Sequence, residues 1–163
     1  MTRSASSDRF LLDAMLGKLV TYLRMCGYDA TYILDEGSKW GREPGNDPTD
    51  DEILARVEAS DRVLLTRDAA LADRASEAVL LTTRDVRDQL RELGEAGYEL
   101  TLEDPPTHCS ACNGELRPVA ENESLPSYTP DPSETECWRC RSCGQVFWKG
   151  SHWEDVRETL GGL

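Results

Sequence analysis

The sequence predicts an α/β protein: a parallel β-sheet flanked by helices, with a small cysteine-rich module after it. Three observations carry that prediction. Residues 10–104 alternate short apolar strands with amphipathic helices. Val63-Leu64-Leu65-Thr66-Arg67-Asp68 is echoed by Val79-Leu80-Leu81-Thr82-Thr83-Arg84-Asp85, each an apolar strand that ends in Asp and leads into a helix. Cys109, Cys112, Cys137, Cys140 and Cys143 crowd the last third, leaving Cys26 alone. Near-continuous apolar strands separated by helices are buried on both faces, which is the pattern of a parallel sheet.

The elements follow in order. Residues 9–12 read as a strand ending at Asp13. Leu16, Leu19, Val20 and Leu23 recur at helical spacing and predict a helix with one buried face, stopped at Gly27. A second strand is expected over 31–34, then a surface loop over 38–48, broken by Gly41, Pro44, Gly45 and Pro48. Thr49 and Glu52 form a capping box for a helix through Ile53, Leu54 and Val57. Strands over 62–66 and 78–82 each precede a helix; the second carries Val86, Leu90 and Leu93 and ends at Gly94 or Gly97. Residues 103–106, Glu-Asp-Pro-Pro, mark a linker. The cysteine module occupies 107–149, with a polar loop over 121–136. A last helix is expected from Glu154.

At 163 residues the chain is expected to be one domain, or one plus a small appendage. No apolar run approaches the ~18 residues of a membrane span, and the polar N-terminus has no apolar core of a secretory signal. The expectation is a soluble, cytoplasmic protein without a membrane partner. Its 18 basic and 31 acidic residues give a net charge of −13, and the only lysines are Lys18, Lys39 and Lys149. Acid-rich, lysine-poor composition of this halophile type suits a salt-rich cytosol, where salt screens self-repulsion. In dilute salt the same charge opposes non-specific nucleic-acid binding, an argument that weakens in strong salt.

In a reducing cytosol, paired Cys-x-x-Cys motifs indicate a metal before a disulfide. Cys109-x-x-Cys112 and Cys140-x-x-Cys143 supply four thiolates for zinc; Cys137-x-x-Cys140 is the competing pair. Turn chemistry separates them. The residues after a zinc knuckle need left-handed backbone, and Asn113-Gly114 follows Cys112 while Gly144 follows Cys143. The predicted zinc ligands are therefore Cys109, Cys112, Cys140 and Cys143, with His108 and His152 as weaker alternatives and Cys137 spare. A closed site of four thiolates is structural. Its emptying is expected to loosen the tail and spare the sheet. Cys26, at the end of an amphipathic helix, reads as a buried inert thiol.

Active sites of parallel sheets lie off the carboxyl ends of the strands. Asp13, Asp50 and Asp68 are the candidates there for a magnesium or manganese site, which takes carboxylates and waters. The competing reading is that each Asp caps its own helix, as Asp51, Asp73 and Asp85 could also do. Lys18, Arg24, Arg67 and Arg84 are candidates for holding phosphates, or else charged helix faces. Trp138, Phe147, Trp148, His152 and Trp153 could stack bases, or pack the module against the rest.

The stretch Phe10 to Tyr28, with Asp13, Lys18, Arg24 and Gly27, resembles the opening of the Mut-seven C-terminal RNase domain family, a PIN-like group. Residues 50–55, 63–68 and 85–90 resemble its following blocks. Cys109 to Gly114 and Trp138 to Trp153 resemble its zinc-ribbon tail. The resemblance implies a PIN-like nuclease domain over 8–104 and a zinc-ribbon module over 105–163. It implies a metal-dependent ribonuclease that hydrolyses RNA phosphodiester bonds, with Asp13, Asp50 and Asp68 as the catalytic, magnesium- or manganese-binding acids and the zinc ribbon aiding RNA binding. The chain departs from the pattern twice. Ala70 stands where the family often has a further acid, with Asp73 nearby, and Cys137 stands where an aromatic is common. The alternative reading is a non-catalytic RNA-binding or adaptor protein that retains the fold.

Overall fold

Phe10, Leu11 and Leu12 are all enclosed, yet they face opposite ways, because successive side chains of a strand alternate. In the computed structural model, which describes residues 3–35 and 48–163, this alternation builds two apolar layers around one sheet. Strands β1 (Arg9–Leu12), β2 (Asp29–Tyr32), β3 (Val63–Thr66) and β4 (Ala78–Leu80) are all parallel, in the order β2-β1-β3-β4. Phe10 pairs with Val63, Leu11 with Leu64 and Leu12 with Leu65. Phe10, Leu12, Val63 and Leu65 pack with Leu19, Val20 and Leu23 of α1 (Gly17–Met25) and Leu90 and Leu93 of α4 (Val86–Glu95). Leu11 and Leu64 pack on the other face with Ile53 and Val57 of α2 (Asp50–Ser60) and Leu71 of α3 (Ala69–Arg74). The parallel sheet flanked by helices is thus present as the apolar strands predict.

The cysteine module forms a second, antiparallel sheet of β5 (Leu116–Pro118), β6 (Cys137–Cys140) and β7 (Val146–Trp148). Helix α5 (Ser151–Gly161) follows and returns to the main body, where Trp153 and Val156 pack on Met25.

Several boundaries differ from expectation for identifiable reasons. β2 lies two residues earlier than 31–34, because Tyr28 and Ala30 bury against the α1 layer whereas Leu34 is left exposed. Pairing at β4 persists only to Leu81, whose N–H reaches the Thr66 carbonyl; the Thr82 N–H instead meets the Glu92 carboxylate. α4 runs through Gly94, and Gly97, at φ +98°, makes the reversal. α5 starts at Ser151 rather than Glu154, since Trp153, Val156 and Leu160 at helical spacing gain a partner surface on α1. The capping box is as expected: the Thr49 hydroxyl accepts from Glu52 N–H, and the Glu52 carboxylate accepts from Thr49 N–H. The expected loop over 38–48 falls, except for Pro48, outside the described residues.

Candidate functional site

At the carboxyl edge of the sheet, the chain leaves β1 at Asp13 and β3 at Thr66. Asp13 is 7% exposed although charged residues are seldom so buried. Its N–H donates to the Leu65 carbonyl, tying the end of β1 to the end of β3. One carboxylate oxygen accepts from Ala14 N–H at 2.8 Å, capping a single 3-10 turn over Ala14–Leu16. The other accepts from the Thr66 hydroxyl at 2.7 Å. That hydroxyl in turn accepts from Asp68 N–H at 3.0 Å. Asp68 caps α3, its Oδ1 accepting from Ala70 and Leu71 N–H. Asp13 and Asp68 are therefore joined through one buried threonine.

Asp50 is exposed in the first turn of α2. A helix returning between two parallel strands runs against them, so its first turn stands at the level of their carboxyl ends. Asp85 caps α4 through Arg87 and Asp88 N–H, and Asp51 pairs with Arg74. Ala70, in the first turn of α3, and Asp73 are exposed.

The basic residues sort sharply. Among the described residues most are engaged: Arg62 by Asp29, Arg117 and Arg139 by Glu123, Lys149 by Asp104. Arg24, expected as a phosphate contact, is 2% exposed. It donates to the carbonyls of Ala30 and Ser110 and lies 3.5 Å from Asp35, so it binds the module to the sheet rather than a ligand. Lys18, Arg67 and Arg84 have no ion pair among the described residues, and all three follow the carboxyl ends of strands. The Arg67 Nε is buried without a hydrogen-bond partner.

The four thiols of Cys109, Cys112, Cys140 and Cys143 lie within 4.8 Å of one another. Cys109 and Cys143 sulfurs are 3.7 Å apart, those of Cys112 and Cys140 3.5 Å. In a tetrahedral site with Zn–S of about 2.3 Å, sulfurs stand about 3.8 Å apart, so the donor set fits zinc. Burial opposes ionisation at Cys140, but N–H groups of Cys143 and Ser142 and the neighbouring thiols outweigh it and bring that thiol down to about 7. Burial pushes Cys109 up in the absence of a cation. Cys137 stands apart, its thiol donating to the Thr135 carbonyl. Cys26 is buried and pushed up to about 12, chiefly by that burial and further by Glu103, as befits an inert thiol. Among the described residues the cysteines are the one group of three or more His, Cys, Asp or Glu side chains close enough to share an ion; Asp13, Asp50 and Asp68 do not form a second.

The Mut7-C RNase domain model matches residues 8–160, nearly the whole chain. The chain belongs to the Mut7-C RNase domain family. No curated protein and no solved structure shows a significant match. Membership in the Mut7-C family points to a nuclease-like function with RNA as the substrate class. Among the described residues no helix is long and apolar enough to cross a membrane.

Sequence reasoning missed Thr66. The signal was there: both echoed segments place Thr directly after the apolar run. Only one copy is used this way. Thr82 turns its hydroxyl to Glu92 instead, which locks the second strand to α4.

Proposed function

We propose that this Mut7-C chain is a divalent-metal-dependent ribonuclease acting at the carboxyl edge of its parallel sheet. The observation that carries the reading is the Asp13–Thr66–Asp68 link, with Lys18, Arg67 and Arg84, which have no ion pair among the described residues, following the carboxyl ends of strands. In a chain of net charge −13, cations left without acidic partners are the scarce resource a phosphate backbone needs. The donor set suits a hard cation. Asp68 uses only one oxygen on its own helix, and Asp50 is exposed, so carboxylate oxygens remain for a magnesium or manganese ion and its waters.

Asp13, Asp50 and Asp68, which do not stand close enough to share an ion directly, would hold it in part through its waters, and when bound it would supply an activated water and offset charge on the phosphate. Thr66 fixes the rotamer of Asp13 and the backbone of Asp68 together. Lys18, Arg67 and Arg84 hold the flanking phosphates. The ribbon's role is to grip the RNA, with zinc as a structural ion.

Assay of the full chain on RNA and DNA oligomers in high salt, with and without manganese, tests the reading. RNA cleavage that needs manganese and falls by roughly a hundredfold or more in Asp13→Asn is expected, since an ion of this kind supplies several kcal/mol. Thr66→Val should lower it by about 10–100-fold, the usual effect of a residue that orients a metal ligand. Exposed Ala70 favours the second reading, a non-catalytic RNA-binding protein. RNA binding without cleavage under any divalent cation would establish it.

A further inference from the structure

A cleft of about 360 Å³ opens where the antiparallel sheet, the start of α5 and the end of α1 meet. Three of the chain's four tryptophans line it: Trp138, Trp148 and Trp153. Trp138 is buried in the module and Trp153 packs on Met25, so they fix the walls. Trp148 is half-buried and stacks on the exposed Tyr128 ring, centroids 6.2 Å apart. The aromatic wall is therefore built before any ligand arrives. Gly150 makes room for it, since a Cβ there would stand 2.7 Å from Trp148 Nε1.

Some polar side chains of the cleft are engaged, His108 by Thr107 and the Tyr128 hydroxyl by Val146 N–H, and others are not. Among the described residues no hydrogen bond engages the Gln145 amide, the His152 imidazole or the Trp148 indole N–H. Apolar walls with a few unpaired donors and acceptors are the make-up of a binding pocket, not of a packed core. The charge is equally selective. Among the described residues no lining residue is Asp or Glu, in a chain that has 31 of them. The nearby Lys149 lies 5.4 Å over the Trp153 ring and neutralises Asp104. A flat aromatic ligand, polar along its edge, matches these features, and a lining free of carboxylates among the described residues tolerates negative charge attached to it.

We infer that this cleft receives an unstacked nucleobase of single-stranded RNA. Stacking on a tryptophan face is how proteins commonly hold single-stranded bases, with edge hydrogen bonds added. The position is distinct from the carboxyl edge. Lys18 lies in the first turn of α1 and Met25 closes it, and seven residues of helix put them about 10 Å apart. A short single-stranded segment can lie along α1 with a phosphate at one end and a base in the cleft at the other. This inference rests on RNA as the ligand class and gives the ribbon a specific part in holding it.

The test uses the full, zinc-loaded chain in high salt without added divalent cation, so that binding is read apart from cleavage. Tryptophan fluorescence is titrated with a short oligouridylate and with an abasic oligomer of equal length. The base-bearing oligomer should quench and bind roughly tenfold tighter, the range expected for one stacked base. Trp148→Ala should remove that advantage and leave abasic binding unchanged; Trp148→Phe should keep most of it. His152→Ala, at an exposed position, should cost the base-bearing oligomer several-fold. A 4-thiouridine oligomer should photocross-link within residues 145–153 of the unmutated chain, which needs no variant to fold. Equal affinity for both oligomers, equal loss of both in Trp148→Ala, or cross-links confined elsewhere would overturn the inference and leave the nuclease reading standing. Base-dependent binding here, together with no cleavage when manganese is added, would do the reverse. Binding of neither oligomer would overturn the inference.

Discussion

Phe10, Leu11, Leu12, Leu64 and Leu65 are enclosed by side chains from four helices, whereas the core of the ribbon is Cys109, Leu116, Trp138 and Cys140 with Phe147 beside them. In the sheet, apolar burial on both faces needs no ion. In the ribbon, two of the four core residues are themselves predicted zinc ligands, so core and ion site are the same object. A small module that cannot bury enough apolar surface commonly depends on such a staple. The two regions should respond to different insults.

Metal removal gives the largest contrast. Chelation, or Cys143→Ser, should empty the site and collapse β5–β7, while circular dichroism of the parallel sheet and its helices persists. Zinc analysis should read about one equivalent in wild type and in Cys137→Ser, because the Cys137 thiol faces Thr135 rather than the cluster. Zinc retained in Cys143→Ser and lost in Cys137→Ser would reverse the ligand assignment.

Leu65→Ala is the mirror experiment. It should destabilise the sheet by about 2–5 kcal/mol in denaturant unfolding, the cost of a cavity in an enclosed core, and leave zinc content unchanged.

Asn113→Ala sharpens the boundary between the regions. Its amide accepts from Ala30 N–H at 3.1 Å and donates to Asp29 at 2.7 Å, joining the first knuckle to β2. Removing it should cost about 1–3 kcal/mol by orphaning those groups. Hydrogen exchange at the Ala30 amide should accelerate, whereas exchange in β3 should not. This coupling amends the expectation that metal loss spares the sheet entirely: β2 should loosen while β1 and β3 hold.

The smallest effect concerns acid. Arg117, then Arg139, hold Glu123 down to about 2 from an ordinary 4.5. A depressed carboxylate stabilises the fold above its unfolded value, and that contribution fades as pH falls from about 4.5 towards 2. Tryptophan fluorescence during acid titration should show the ribbon loosening across that window, and Glu123→Gln should remove the component. Asp29 adds to the same trend: burial works against its charge, but Arg62 and Asn113 prevail and hold it below the usual carboxylate range.

The contrast also marks what could be read in advance. The sheet was legible because each apolar run in 63–66 or 9–12 is local and its alternation fixes both faces. The clustering of the four thiols was legible because knuckle turns leave a glycine and asparagine signature. Arg24 was misread as a surface cation, since its partners at Ser110 and Ala30 belong to other elements and leave no local pattern. The start of α5 was missed for the same reason: its apolar spacing has meaning only against Met25 and Tyr22. Thr66 was hidden because a β-branched residue at a strand end looks like ordinary strand propensity.

The Asn113 contact has a consequence for solubility. β2 borders the sheet, and an open strand border is a template on which another copy of the chain can add its own strand. Occupying the Ala30 N–H blunts that border. A cell that ran short of zinc would therefore see this protein self-associate through β2 before its helices melted. Light scattering that rises ahead of any fall in helical signal would mark that order of events.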